Sequence, residues 1–144
     1  MFYLTIEQLR RLTRHITQIL GDGFRWQPYI RFDHSDSNGT PYIKIDENGY
    51  HWIVNINNIP TELNNTTQTS KVLYWIASHI SFTIAFEQVQ KQNHSILPRL
   101  QKKFHPNYNQ SQEILIKQIS LMKRIDHNYE SICQSDIKKF NQNF

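Results

Sequence analysis

Two stretches with apolar residues at helical spacing enclose a middle section where they alternate, and this order restricts the chain to an α+β arrangement. From Thr5 to Leu20, residues Ile6, Leu9, Leu12, Ile16, Ile19 and Leu20 fall on one helical side. Thr5 and Gln8 form a capping box, Leu4 and Leu9 stand at hydrophobic-staple positions, and Gly21 suits a left-handed residue past the helix end. These signals predict a helix over residues 5–20. Three strand-like runs follow, Trp26 to Asp33, Pro41 to Asp46 and Tyr50 to Ile56, separated by Ser35-Asp36-Ser37-Asn38-Gly39 and Asp46-Glu47-Asn48-Gly49. Short turn-rich connections join antiparallel neighbours, so residues 26–56 are expected to form an antiparallel meander of three to four strands. Asn57 to Thr69, which contains Pro60, reads as a loop with room for a short edge strand.

Helical spacing resumes over residues 70–93, with Leu73, Ile76, Ile80 and Ile84 on one side and Trp75, Phe82 and Phe86 on another. Two apolar stripes predict a central helix sandwiched between the sheet and other helices. Pro98 suits the first turn of a short helix over 97–104, which His105-Pro106-Asn107 ends. Ser111 then caps a long helix over 111–133, with Ile114, Leu115, Ile119, Met122, Ile125, Tyr129 and Ile132 in one stripe. No repeat or linker interrupts residues 1–144, so a single domain is expected, its later helices packed on one face of the sheet.

Composition narrows the function classes. A single cysteine, Cys133, excludes an intramolecular disulfide and a cysteine-based zinc cluster, and it suits a reducing cytoplasm. The segment Met1 to Ile6 lacks the basic and apolar parts of a signal peptide, and no run approaches the ~18 apolar residues of a membrane span. A cytoplasmic location is therefore expected. The net charge of +4 is unevenly spread: 6 Lys/Arg face 7 Asp/Glu through Ser70, and 10 face 5 from Lys71 onward. A basic second half suits an acidic protein surface or a nucleic acid.

No constellation for catalysis is present. Asp33-His34-Ser35-Asp36-Ser37-Asn38-Gly39 places oxygen ligands ahead of a glycine, yet the EF-hand spacing and its closing Glu are missing, and hairpin-loop chemistry accounts for it without an ion. His34, His51, His79, His94, His105 and His127 show no His-x-x-x-His or His-Glu-x-x-His spacing. There is no Gly-x-Ser-x-Gly elbow, and four glycines are too few for a phosphate cradle. No catalytic, cofactor or metal-binding residue is expected.

Two surfaces offer binding instead. If Ile30, Phe32, Ile43, Ile45 and Ile53 face the helices, alternation puts Tyr29, Arg31, Tyr42, Lys44 and His51 on the other side of the sheet. Aromatics interleaved with cations suit either a protein partner or a nucleic-acid platform, and an ordinary solvated face has the same composition. Trp52 and Val54 alternate against Ile53, which predicts a third strand apolar on both faces. The second surface is the basic stripe of Arg99, Lys102, Lys103, Lys117, Lys123 and Arg124, which reads as solvation or as a seat for an acidic partner.

The middle of the chain also resembles a known family. Pro41-Tyr42-Ile43, Asp46, Gly49-Tyr50-His51, Glu62-Leu63, Thr66-Thr67, Leu73-Tyr74-Trp75-Ile76, Phe82, Ala85 and Glu87 are similar in order and spacing to the bacterial immunity proteins of immunity protein family sixty-three. The resemblance spans Pro41 to Tyr108 and is weaker through the last helix. It implies an antidote of a polymorphic-toxin or contact-dependent growth inhibition system, which binds a cognate toxin C-terminal domain in the cytoplasm and needs no cofactor or catalytic residue. Where the family carries arginines after the Glu-Leu pair, this chain has Asn64 and Asn65, so no role of those arginines carries over. A pI near 9.2 argues against mimicry of a nucleic acid and for a basic surface meeting acidic toxin residues. The matched positions have structural roles as well: Gly49 allows positive φ after Asp46, and Leu73, Trp75 and Ile76 anchor the central helix. Glu87, if buried, requires a partner such as Arg31, Lys44 or His79.

Overall fold

The computed structural model describes residues 2–21, 25–35, 39–94 and 110–142. They fall into two compact units, Met1–Ala77 and Ser78–Phe144. Helix α1 (Ile6–Leu20), strands β1 (Arg31–Phe32), β2 (Tyr42–Asp46), β3 (Gly49–Ile56) and β4 (Ile59–Thr66) belong to the first unit, and helix α2 (Thr69–His94) begins there. The second unit holds the rest of α2 with α3 (Gln110–Ile125) and α4 (His127–Gln142). The α+β class and the order of helix, sheet and helices are as expected, while the short helix expected over 97–104 lies outside the described residues.

Helix α1 starts at the expected capping box: Gln8 donates its backbone N–H to Thr5 Oγ1 at 3.1 Å, and Thr5 donates its N–H to Gln8 Oε1 at 2.9 Å. Its buried side carries Leu9, Thr13, Ile16, Thr17 and Leu20, so two threonines take positions that the apolar count gave to Leu12 and Ile19. Their hydroxyls are satisfied within the helix, Thr13 by Leu9 O at 2.8 Å and Thr17 by Arg14 O at 2.7 Å, which removes the penalty of burying them. Gly21 leaves the helix in an extended conformation, not the left-handed one expected.

The sheet has the order β1-β2-β3-β4. Its two hairpins follow turn chemistry. Asp46 and Gly49 pair across the first turn, where Asp46 Oδ1 accepts the Asn48 N–H at 2.8 Å. The second turn is Asn57-Asn58, both at positive φ, and it converts most of the predicted loop into the eight-residue strand β4. Asparagine tolerates left-handed backbone, so this pair closes a two-residue hairpin as Asn-Gly does. Pro60 is accommodated because β4 is an edge.

One part of the meander is corrected. Trp26 to Tyr29 is a turn and not a strand, since the N–H groups of Tyr29 and Ile30 both bond to Trp26 O, at 2.9 and 3.2 Å. The strand left over, β1, pairs with β2 in parallel, through Arg31 N–H to Pro41 O at 2.9 Å and Asp33 N–H to Ile43 O at 2.7 Å. A tight two-residue hairpin joins antiparallel strands, whereas β1 and β2 are separated by residues 33–41.

Register assigns the faces. Phe32 pairs with Ile43, and Ile43 with Trp52, on the side where Phe32, Ile43 and Tyr50 are buried. Arg10 of α1 lies over the Phe32 ring, and the edge of Tyr3 meets Tyr50, so the N-terminal segment covers this side. Tyr42 pairs with Arg31 on one flank and Ile53 on the other, which moves Ile53 to the opposite face from the one expected. The third strand is half-buried along most of its length, as its two-sided apolar character predicts.

In the second unit, α2 buries Ile80, Ser81, Ile84, Ala85 and Val89, while Phe82 and Phe86 stack on each other in solvent-exposed positions. The second stripe of α2 is thus not enclosed as expected. Helix α3 buries Ile114, Gln118, Leu121 and Met122, and Gln118 holds its place by donating Nε2–H to Ser78 O at 3.0 Å. The long helix expected over 111–133 is two helices. Asp126 interrupts it: its N–H still reaches Met122 O at 3.1 Å, but its carboxylate accepts the Asn128 N–H at 2.9 Å and caps α4, which continues to Gln142.

Candidate functional site

The sheet face opposite Phe32, Ile43 and Tyr50 carries a charged cluster that spacing alone does not reveal. His51 on β3 lies between Asp46, at the end of β2, and Glu62 on β4. The imidazole donates Nε2–H to Asp46 Oδ1 at 2.8 Å and Nδ1–H to Glu62 Oε1. Ionised carboxylates only accept, so forming both bonds requires hydrogens on both ring nitrogens, and the arrangement favours the imidazolium. The side chain is 15% exposed.

A β-bulge brings Glu62 into reach. Strand β4 pairs His51 with Asn65 and Trp52 with Asn64, and then Ile53 with Glu62, skipping Leu63. Unbroken alternation from Asn65 would place Leu63 beside the imidazole. The extra residue instead rotates the strand so that Glu62 joins Asn65 on this face, where Asn65 Nδ2–H approaches Glu62 Oε2 at 3.4 Å.

Burial of the ring alone would push the His51 pKa down, but the hydrogen bonds from Asp46 and Glu62 outweigh it and hold it above the ordinary 6.5. The His51 bond, with the Asn48 N–H second, holds the Asp46 carboxyl below 3.8. The two shifts act in opposite pH windows. The stabilisation from His51 is complete below its unfolded value and is lost as pH rises through its raised folded value. The stabilisation from Asp46 is present above its unfolded value and is lost as pH falls through its lowered one. The advantage of the wild type over His51→Gln in urea unfolding should therefore shrink as pH rises through the folded His51 value. A pH-independent difference would show that the imidazolium is not what ties the three strands.

The residues singled out by sequence are distributed as follows. Lys44, His51 and Tyr42 do share a face, with Lys44 exposed, but Tyr42 is only 9% exposed and Tyr29 lies in the turn before β1. Arg31 is half-buried beside Tyr42. On this face Lys44 and Arg31 accompany a cluster in which the His51 imidazolium stands against two carboxylates. On α3, Lys117 and Arg124 lie seven residues apart on one side, and Lys123 pairs with Glu130 at 3.5 Å. Arg99, Lys102 and Lys103 lie outside the described residues, as do Asp36, Ser37 and Asn38 of the oxygen-rich loop. Among the described residues no group of three or more His, Cys, Asp or Glu side chains is arranged to hold a metal ion.

The three consecutive residues Gly49-Tyr50-His51 thus have separate tasks. Gly49 lets the start of β3 approach the backbone of Thr66, Tyr50 points into the core and His51 binds the carboxylates on the other face. The model of the family described as immunity protein 63 matches residues 46–139, a segment that begins at Asp46 and includes Glu62. The chain belongs to the immunity protein 63 family. No curated protein and no solved structure matches it. For an immunity protein the relevant chemistry is recognition of a protein partner, and the described surface offers two kinds of apolar contact. Strand β4 is an open edge of the sheet, and Ile56, Ile59 and Leu63 on its hairpin are exposed, Ile59 to 65%. Among the described residues of the second unit, the exposed Phe82, Phe86, Ile116 and Ile132 form the other. The expectation over Asn57 to Thr69 was a loop with room for only a short edge strand, because Pro60 and four asparagines mask the eight-residue β4; the signal available was Asn57-Asn58 between two isoleucines.

Proposed function

We propose that this chain is the antidote of a bacterial polymorphic-toxin or contact-dependent growth inhibition system, binding a cognate toxin C-terminal domain in the cytoplasm and blocking its active site or substrate access. Membership of the immunity protein 63 family carries this reading. Binding needs neither a cofactor nor a catalytic group, which fits a cluster whose histidine is held by both nitrogens and has no lone pair to offer a substrate.

The β4 edge is the favoured contact. It stands last in the sheet order, where an extended segment of the toxin would add as a further strand, and Ile59 and Leu63 supply exposed apolar area there. Pro60 and the bulge at Leu63 limit this pairing to part of the strand, which works against fibre-like self-association. Lys44 and Arg31 on the sheet face, and Lys102, Lys103, Lys117 and Arg124 from the basic half, are the charged contacts that would speed encounter with an acidic toxin surface, with Tyr29, Tyr42 and His51 adding contact area.

The test is co-expression with the toxin domain encoded beside this gene, followed by titration of the purified pair. The wild type should protect cells and bind one-to-one, and Ile59→Asp with Leu63→Asp should weaken binding by roughly tenfold or more while the fold is retained. Growth arrest despite the wild type would overturn the antidote reading. Full protection and unchanged affinity in the double variant would remove only the β4 contact.

A further inference from the structure

Between the Asn57-Asn58 turn and its bulge, β4 pairs with β3 through Ile59, Pro60, Thr61 and Glu62. Pro60 has no N–H to give the ladder, so the bond from His51 Nδ1 to Glu62 Oε1 adds a tie where the backbone is one donor short. That tie depends on a proton. A neutral imidazole keeps a hydrogen on one ring nitrogen only, and the other turns a lone pair toward an ionised carboxylate, so one of the two bonds must break. The two carboxylates are equally exposed, at 42%, and their other bonds decide which is released. Asp46 is the better fixed: its Oδ1 also accepts the Asn48 N–H at 2.8 Å, and its backbone pairs with Gly49 across the turn. The second donor to Glu62 is Asn65 Nδ2–H, at 3.4 Å. Neutral His51 therefore keeps Nε2–H on Asp46 and lets Glu62 go.

From this geometry we infer that His51 is a proton-operated latch on the β4 edge: the imidazolium holds Glu62 on the sheet face, and the neutral ring releases it to solvent beside Ile59 and Leu63, where its charge opposes the addition of a partner strand. Strand β4 holds no other charged residue, so the position of Glu62 decides whether this edge is apolar or charged. Charged side chains are a general means of closing a sheet edge to pairing. The charges that face His51 are Asp46 from the end of β2 and Glu62 from β4, while Lys44, opposite His51 on β2, acts on Asp46. The latch is closed below the folded His51 value and open above it. That value lies above 6.5, because burial of the ring is outweighed by its two carboxylate bonds. The latch stands on the cluster alone; its effect on toxin binding rests on the antidote reading and the β4 contact.

Imidazole ¹³C–¹H spectra of the full chain over a range of pH give the His51 midpoint, with its signal assigned by His51→Gln. The backbone amide signals of Thr61 to Asn64 should shift with that same midpoint. Glu62→Gln is the deciding control, since a glutamine amide can turn to accept from Nδ1–H or to donate to its lone pair and so satisfies both ring states. In this variant the His51 midpoint should fall and the β4 amides should follow it far less, while the other histidines titrate as before. Amides of β4 that ignore the His51 midpoint in the wild type, or follow it equally in Glu62→Gln, would overturn the latch. Titration with the toxin domain over the same range tests the gating. Wild-type affinity should fall roughly threefold or more as pH rises through the His51 midpoint, with a much smaller change in Glu62→Gln. Equal pH dependence in the two proteins, or none in either, would overturn the gating and leave the latch. Absence of toxin binding at every pH would count against the antidote role, and the spectra, which need no toxin, would still decide the latch.

Discussion

Replacing Gly49 with alanine is expected to destabilise the protein by about 2–6 kcal/mol, combining a strained backbone conformation with a forced overlap. Gly49 adopts φ +122°, and a Cβ built there lies 2.4 Å from Thr66 O and 3.1 Å from Thr66 C. The atoms it meets are backbone and belong to the paired strand, so no side-chain rotation relieves the contact. Relief requires β3 and β4 to separate at Tyr50↔Thr66, the pairing adjacent to the one that sets His51 against Asn65. The damage should therefore extend to the His51 cluster. Gly39 is the internal control, since a Cβ there has only Asn55 O at 3.8 Å and the positive φ of +74° to contend with. Urea unfolding of Gly49→Ala and Gly39→Ala should show a much larger loss for the first. Equal and small losses would mean that β3 and β4 are not held this closely.

The second large effect is expected at Tyr50, which is fully buried. Its hydroxyl accepts the Leu4 N–H at 2.7 Å and bonds Thr69 Oγ1 at 2.8 Å, while its ring meets the edge of Tyr3 at 5.4 Å. One side chain therefore joins the segment before α1, the sheet and the first residue of α2. Tyr50→Phe keeps the volume and removes the hydroxyl, leaving the Leu4 N–H unsatisfied at a cost of roughly 1–3 kcal/mol. Tyr50→Ala adds a cavity and should cost about 4 kcal/mol or more. Hydrogen exchange separates the two causes: the Leu4 amide should lose protection in both variants, the core amides of β2 and β3 mainly in the alanine one. If Tyr50→Phe were neutral and the Leu4 amide stayed protected, the hydroxyl would not be the tie between these elements.

Both positions stand in the Gly49-Tyr50-His51 run that carries much of the family resemblance, and neither is conspicuous by composition. The run was legible as a turn followed by a strand. Its division of labour was not, because each residue acts on a different neighbour: Thr66, Leu4 and Thr69, and the pair Asp46 and Glu62. Asp46 precedes His51 by only five residues across a tight hairpin, so that half of the cluster follows from the predicted turn. Glu62 arrives through a bulge, and a bulge leaves no mark in an alternating pattern that already contains asparagines and a proline.

The sequence alone determined what depends on neighbours along the chain. The capping box at Thr5, the turn Asp46–Gly49, the helical spacing of α1 and α2 and the resemblance over the central segment are encoded within a few residues of each other, and local backbone sterics and hydrogen bonding read them directly. Only the tertiary structure decided the parallel pairing of β1, the exposure of Phe82 and Phe86, the break at Asp126, and which acidic side chains reach His51. Each of these follows from residues far apart in the chain competing for the same space or the same hydrogen-bonding group, and such competition is settled only when the whole set of contacts forms together.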